Sequence, residues 1–331
     1  MIFLKVYSNL PQKTSPVYLT FRFHIIYTDP VQKLPKVKTA DMWYETMCIT
    51  DRKNSGKRNK FWIILIIAVL LVPAFDCRLC IRRYEIITDK TAESVRIALV
   101  TDLHSCRYGK EEKELIRAID SQHPDVVLLG GDICDDKISD DNVEFLLRGI
   151  ADRYPCYYVT GNHEYWSGRI DDMLELFRSY GVTVLDGSCD TPEINGQQLV
   201  ICGITDPDAM RYTTDGMDLG SQLDAIAETI DDDHYTILLT HRPELIELYR
   251  QYPFDLILSG HAHGGQWRLP GVVNGLFAPD QGFFPEYAGG VYKLPDTTMI
   301  VSRGLAREST PVPRIFNRPE LVIVTLTPDH R

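Results

Sequence analysis

From residue 94 onward the chain alternates two kinds of apolar pattern. Short continuous apolar runs bounded by turn-forming residues occur at 95–100, 125–129, 156–159, 199–204, 235–239, 255–258, 298–301 and 321–326. Runs of that length with that punctuation predict buried strands. Between the early runs, apolar residues return at helical spacing over 111–119, 143–150 and 170–179, which predicts amphipathic helices. Strands and helices that take turns in this way describe an α/β domain, where ligand chemistry gathers at the loops leaving the strands' carboxyl ends. No internal repeat or low-complexity linker breaks the pattern, so residues 90–331 are expected to form one domain.

Upstream the pattern fails. Residues 1–50 keep neither helical nor strand periodicity, prolines at 11, 16, 30 and 35 interrupt them, and no fold is expected over 1–60. Met42 and Met47 precede a basic run, so translation starting there would make the preceding stretch an artefact of the reading frame. The basic run, 52–60, leads into the apolar run 61–75. That order is a membrane-targeting signal. The apolar run is short for a hydrocarbon layer of roughly 30 Å and suits the core of a signal peptide, while a short anchor is accommodated by local thinning of the bilayer. Val72-Pro73-Ala74 resembles a small-residue cleavage site, so a signal anchor and a cleaved signal peptide both stay open; Asp76 before Cys77 excludes a lipobox. Either way the basic flank stays cytoplasmic and the rest is exported to the extracytoplasmic side of the cell membrane.

Charge sharpens this division. Residues 1–60 hold 11 Lys and Arg against 4 Asp and Glu, which leaves 24 against 42 for the remainder of totals of 35 and 46. A body so acidic has no basic face for duplex phosphates, and no nucleic-acid partner is expected. Bound cations would reverse the sign locally. Of the eight cysteines, Cys77 and Cys80 alone form C-x-x-C, without the second pair of a zinc ribbon or the strand-helix context of a redox motif, and disulfides cannot be paired from spacing.

The chemistry lies in the loops at the strand ends. After 95–100 comes Thr101-Asp102-Leu103-His104, after 125–129 Gly130-Gly131-Asp132-Ile133-Cys134-Asp135, after 156–159 Thr160-Gly161-Asn162-His163-Glu164, after 235–239 Thr240-His241, and after 255–258 Ser259-Gly260-His261-Ala262-His263-Gly264-Gly265. Singly, each has an ordinary reading: Asp102 as a cap, Asp132 and Asp135 as turn carboxylates, Asn162 in a left-handed turn, His241 satisfied before Pro243. Together they put carboxylate, amide and imidazole groups, including five of the nine histidines, at one end of five strands, the pattern of a metal centre.

These blocks, D-x-H, G-D-x-x-D, G-N-H-E, H and G-H-x-H in order over roughly 95–265, resemble the calcineurin-like metallophosphoesterases. Further stretches, 264–270, 278–282, 287–290 and 314–320, look like the membrane-anchored bacterial phosphohydrolases of that family. The resemblance implies a four-layer α/β/β/α sandwich and two divalent metal ions. By position, Asp102, His104 and His263 hold one ion, Asn162, His241 and His261 the other, and Asp132 bridges them. His163 stands beside the leaving oxygen as a charged or proton-donating group, and Asp135 orients it. His261 and His263, one residue apart, then serve different ions.

Two cations about 3.5–4 Å apart neutralise a phosphoester, hold a bridging water as hydroxide and stabilise both oxygens of an in-line displacement. Nitrogen and oxygen ligands without thiolate favour Mn, Fe or Zn. The expected activity is hydrolysis of a phosphodiester, phosphomonoester or pyrophosphate bond, on a small or lipid-linked substrate at the membrane. The alternative is a non-catalytic, metal-stabilised binding protein of the envelope. Arg303 and Arg307 are candidates for substrate phosphate or for surface ion pairs. Residues 276–285 are apolar for a loop, fitting either packing beneath a connection or a lip that meets lipid. Cys106 and Cys134 read as small buried fillers.

Overall fold

The computed structural model describes residues 55–329, apart from 215, 232, 308, 310 and 311. Expectations for the first 54 residues, including the start at Met42 or Met47, lie outside the described residues. The described chain opens with α1 (Ser55–Ala74), which takes in the end of the basic run and nearly all of the apolar run. Phe61, Trp62, Ile63, Ile64, Leu65, Val69, Leu71 and Val72 on it are exposed. Among the described residues no helix is long and apolar enough to cross a membrane.

Downstream of α1 lie the strands β1 (Cys80–Thr88), β2 (Val95–Val100), β3 (Val126–Gly130), β4 (Cys156–Val159), β5 (Thr183–Val184), β6 (Ser188–Asp190), β7 (Glu193–Ile194) and β8 (Gln197–Gly203). After them come β9 (Tyr235–Leu239), β10 (Leu256–Ser259), β11 (Phe277–Ala278), β12 (Gly282–Phe283), β13 (Gly290–Lys293), β14 (Thr298–Val301) and β15 (Glu320–Pro328). The helices are α2 (Lys113–Asp120), α3 (Asp141–Ile150), α4 (Asn162–Trp166), α5 (Ile170–Ser179), α6 (Ala209–Tyr212), α7 (Leu219–Ala227) and α8 (Ile246–Tyr249).

The strands form two main sheets, ordered β1-β15-β2-β3-β4-β5 and β13-β14-β10-β9-β8-β6, with β7 beside β8 and β11-β12 as a separate hairpin. The centres are parallel: Ile97 pairs with Val126, Val127 with Cys156, Ile201 with Ile237, and Leu256 with both Ile237 and Thr298. Alternate residues of each strand face opposite ways, and here both faces are covered. Val95, Ile97 and Leu99 of β2 join Leu128, Ile201, Ile237, Leu258 and Ile300 in a core between the sheets. Ala98 and Val100 of the same strand pack with Leu115, Ile119, Leu146, Leu147 and Phe177 of α2, α3 and α5. On the far side Val200, Leu238 and Ile257 pack with Leu223, Ile226, Ile246 and Tyr249 of α7 and α8. Helices, sheet, sheet and helices thus make the four expected layers, and double coverage explains why the central strands read as continuous apolar runs.

The first sheet begins at Cys80, upstream of residue 90, because β1 pairs in parallel with β15 along its whole length. Its sequence hides it: Arg82, Arg83 and Glu85 charge one edge strand, while only Tyr84 and Ile86 pack against the core between the sheets. A disulfide also appears that spacing could not pair. Cys189 and Cys202 stand directly opposite on the antiparallel strands β6 and β8, and they are bonded; Cys77, Cys80, Cys106, Cys134 and Cys156 are free.

The loop that this bond closes spans 13 residues. Replacing Cys189 and Cys202 together by alanine should lower the unfolding free energy by about 3 kcal/mol, read by denaturant titration. Alkylation of the denatured protein should label two more thiols after reduction than before; equal labelling would show the pair unbonded.

Candidate metal centre

β2, β3 and β4 of one sheet and β9 and β10 of the other end at the same edge of the sandwich, and their loops meet there. The loop after β2 is stitched to the loop after β3: the N–H groups of Asp102, His104 and Ser105 donate to the carbonyls of Gly131 (3.0 Å), Asp132 (2.9 Å) and Ile133 (3.0 Å). Two bonds cross between the sheets. The His261 N–H donates to Asp102 Oδ1 (2.8 Å) and His241 Nδ1 lies 2.9 Å from the Gly130 carbonyl. Since a carbonyl only accepts, His241 carries its proton on Nδ1 and turns Nε2 inward.

The backbone is strained to do this. Asp102, His104, Asp132, His261 and His263 all have φ between 47° and 65°, a left-handed conformation that costs non-glycine residues of order 1–3 kcal/mol each and clusters at functional sites. Gly131, with φ 84°, packs so closely on the His241 ring that a Cβ would collide with it.

Seven expected ligand residues, Asp102, His104, Asp132, Asn162, His241, His261 and His263, are brought together here, and all are buried. The ligand atoms of Asp102, His104, Asp132 and His263 lie within 4.8 Å of one another, as do those of Asp132, His241 and His261. In the first group His104 Nε2 is 3.3 Å from His263 Nε2 and 3.5 Å from Asp132 Oδ2. In the second His241 Nε2 is 3.1 Å from Asp132 Oδ2 and 3.2 Å from His261 Nδ1. The two groups share Asp132, and His261 and His263 fall in different groups. Asn162 follows Gly161 at the start of α4, and the N–H of its neighbour His163 donates to Asp132 Oδ1 (2.8 Å).

Asp102 Oδ2 and Asn162 Oδ1 are buried and accept no hydrogen bond among the described residues. A buried oxygen left so costs about 1–3 kcal/mol. With nitrogen and oxygen donors on both sides of one carboxylate, this set fits two divalent cations. The electrostatics agree. Burial alone would raise Asp132, yet His241 and then His104 pull it well below the usual carboxylate range. Burial works against charge on His241, and Asp132 overrides it, holding the imidazole protonated up to about 10. A proton there pairs with Asp132 as a cation would, so metal capture must release it. Burial, then His104, keep His263 well below its ordinary value, and hence neutral as a ligand must be.

His163 is at the rim. Its ring meets His104 edge-on, centroids 4.3 Å apart, and lies 4.7 Å from Trp166, whose indole N–H donates to Asp208 (2.6 Å). The carboxylate within hydrogen-bond distance of His163 Nδ1 is that of Asp136, at 2.9 Å; Asp135 Oδ2 is 3.7 Å away and sits 3.4 Å from His104 Nδ1. Asp135 Oδ1 is meanwhile taken up by the N–H groups of Lys137 and Ile138.

Several residues that hold the site together were given no role by the sequence, although Glu164 closes the G-N-H-E block. Glu164 is fully buried, and its carboxylate accepts from the N–H groups of Asp132 (3.0 Å), Ile133 (2.8 Å), Cys134 (3.1 Å) and Gly161 (2.8 Å). Burial and then Asp132 raise its pKa to about 7, against the N–H groups of Gly161 and Cys134 and the charge of His241. Asp136 follows Asp135, and Arg242 follows His241, in runs whose first residue carried the signal. Arg303 turns away from the site: it is buried and pairs with Glu320 (3.1 Å) and the Gly289 carbonyl. Arg307 lies over the Tyr108 ring and donates to the Arg107 carbonyl. Cys106 and Cys134 are fully buried.

Residues 95–265 match the profile of the family described as Calcineurin-like phosphoesterase. An uncharacterized metallophosphoesterase of Aquifex aeolicus is 31% identical over 255 residues, 74% of this chain and 91% of its own length. A "Transmembrane protein with metallophosphoesterase domain" of Bos taurus is 31% identical over 247 residues, 70% of this chain but 53% of its own length, so the match spans about half of that relative. An uncharacterized metallophosphoesterase of Helicobacter pylori is 28% identical over 256 residues, 76% of this chain and 65% of its own.

Glu164→Gln keeps one acceptor oxygen and turns an N–H₂ toward backbone donors. Each N–H left unpaired costs about 1–3 kcal/mol. The variant should therefore lose at least about 2 kcal/mol of stability without any metal present, measured by urea titration in chelator; wild-type stability would show that the four bonds do not hold the loops.

Proposed function

The chain belongs to the calcineurin-like phosphoesterase family and is a phosphoester hydrolase, and we propose that it works through two divalent cations held in the two ligand groups that share Asp132. The observation that carries this reading is the shared carboxylate. Asp102, His104 and His263 gather with it in one group and His241 and His261 in the other; Asn162, whose buried Oδ1 accepts no hydrogen bond among the described residues, is assigned to the second. What such cations bring is neutralisation of the ester's charge and activation of water at neutral pH. The donor chemistry fits Mn, Fe or Zn.

The chain's own residues do the rest. Asp135 buttresses His104 from behind. Asp136 accepts a hydrogen bond from His163 Nδ1–H, which leaves Nε2 facing the ester; the imidazolium form, with a second proton on Nε2, would donate that proton to the leaving oxygen. Trp166 packs against that ring and is itself tethered to Asp208, which limits the ways His163 can turn.

The substrate we favour is a lipid-linked phosphoester. Phe277, Phe283 and Phe284 are exposed on the β11-β12 hairpin and its edge, the same hairpin whose Asp280 lies 3.0 Å from His261. An apolar surface therefore adjoins the candidate metal centre. Residues 61–75 are proposed to hold the domain at the membrane on its extracytoplasmic face. That reading is supported by the basic flank, the exposed apolar side chains of α1 and the Cys189–Cys202 disulfide, a bond characteristic of oxidising compartments.

Asp132→Asn and His261→Ala should each abolish hydrolysis of an aryl phosphodiester by manganese-supplied protein, and chelation should silence the wild type; activity that survives chelation would exclude the mechanism. His163→Ala should cut turnover by about 10²–10⁴-fold with bound metal near the wild-type level; parallel loss of metal would assign His163 a structural part instead. The full chain should sediment with membranes and resist alkaline carbonate extraction, and recovery in the soluble fraction would overturn the anchoring.

A further inference from the structure

The two ring nitrogens of His261 face different surroundings. Nδ1 lies 3.2 Å from His241 Nε2, inside the second ligand group. Nε2 points away from it, toward a polar cluster that belongs to neither ligand group: Asp280 Oδ2 is 3.0 Å from it and Arg242 Nη1 is 3.1 Å from it. Arg242 is buried and fixed by Asp206, through Nε at 2.6 Å and Nη2 at 3.0 Å, and its Nη1 donates to Asp280 Oδ2. Asp280 reaches in from the turn of the β11-β12 hairpin, where it adopts φ 55° and stays half exposed.

Nε2 therefore has two neighbours of opposite sense. An ionised carboxylate accepts only, so a bond to Asp280 requires a proton on Nε2; a guanidinium donates only, so a bond from Arg242 requires a lone pair there. A neutral imidazole carries one N–H. With the proton on Nε2, Nδ1 keeps its lone pair for a cation. With Arg242 donating to Nε2, the proton moves to Nδ1, points at His241 Nε2, and ligation is blocked.

The geometry points to Asp280 as a positioning residue that sets the tautomer of His261, accepting from His261 and Arg242 at once so that Arg242 cannot claim Nε2. Glu244, His261 and Asp280 also approach one another closely enough to surround a cation. The guanidinium already occupies that role, since Arg242 Nη1 is 3.7 Å from Glu244 and bonded to Asp280. The inference rests on His261 being a ligand, and it extends that reading to a residue in a surface hairpin, outside the loops that carry the ligands.

Full-length wild type, Asp280→Ala and Asp280→Asn, stripped of metal and titrated with manganese, would be compared by calorimetry and by electron paramagnetic resonance of the manganese pair. Wild type should bind two ions. Asp280→Ala should retain the first and bind the second about 10–100-fold more weakly, losing the spin-coupled signal of a pair. Asp280→Asn, which keeps an oxygen acceptor, should restore both affinity and signal toward wild type. A second manganese bound by Asp280→Ala as tightly as by wild type would overturn the inference, as would equal loss in Asp280→Ala and Asp280→Asn, which would trace the effect to charge rather than to tautomer. A wild type that binds no manganese would remove the metal reading itself, and this inference with it.

Discussion

The four bonds to Glu164 are the constraint on which the rest depends. One buried carboxylate gathers the N–H groups of Asp132, Ile133 and Cys134 from the loop after β3 and of Gly161 from the loop after β4. Those loops carry the shared carboxylate of the candidate centre, and also Asn162 and His163. A side chain that collects donors in this way replaces the missing strand ladder beyond the sheet edge, so the chain can leave β3 in a left-handed turn without stranding its backbone groups. Any group near Asp132 must share the electrostatic cost of that arrangement, which is why burial and Asp132 together raise Glu164 while histidines lower Asp132.

The strain fits the same scheme. Left-handed φ at five of the seven candidate ligands is a cost that the three packed cores and the stitched loops must offset. The result is geometry: imidazoles and carboxylates that would otherwise point along their strands turn into a common space, with glycines where the loops pass closest. Because the contributing strands belong to both sheets, the site also reports on their alignment. The bonds from His261 to Asp102 and between His241 and Gly130 run from one sheet to the other, so a slip between layers would open both ligand groups.

An acidic protein body is an odd host for a phosphate anion until the local charges are counted. The carboxylates here are drawn in by imidazoles, and cations in the two groups would turn an anionic edge into an electrophilic one. Arg242 and Arg303 belong to the frame of the site: Arg242 braces Asp206 and Asp280, and Arg303 braces Glu320. Positive charge for a substrate phosphate would then come from the proposed cations.

By itself the sequence determined the α/β class, the positions of the central strands and the five loops that carry the candidate ligands. Strands covered on both faces must be apolar throughout, and metal-binding chemistry needs residue types that are recognisable wherever they fall. Partnerships decided only by folding were not legible. β1 is a charged edge strand whose only sequence requirement is a neighbour, β15, that lies far along the chain. Cys189 and Cys202 could be matched only once β6 and β8 were in register. Asp136 rather than Asp135 meets His163, since a turn selects between adjacent carboxylates by direction, which composition does not encode. Glu164 gathers N–H groups from the loop after β3, and Arg242 and Asp280 meet from segments far apart in the chain, so the sense of those hydrogen bonds exists only in three dimensions.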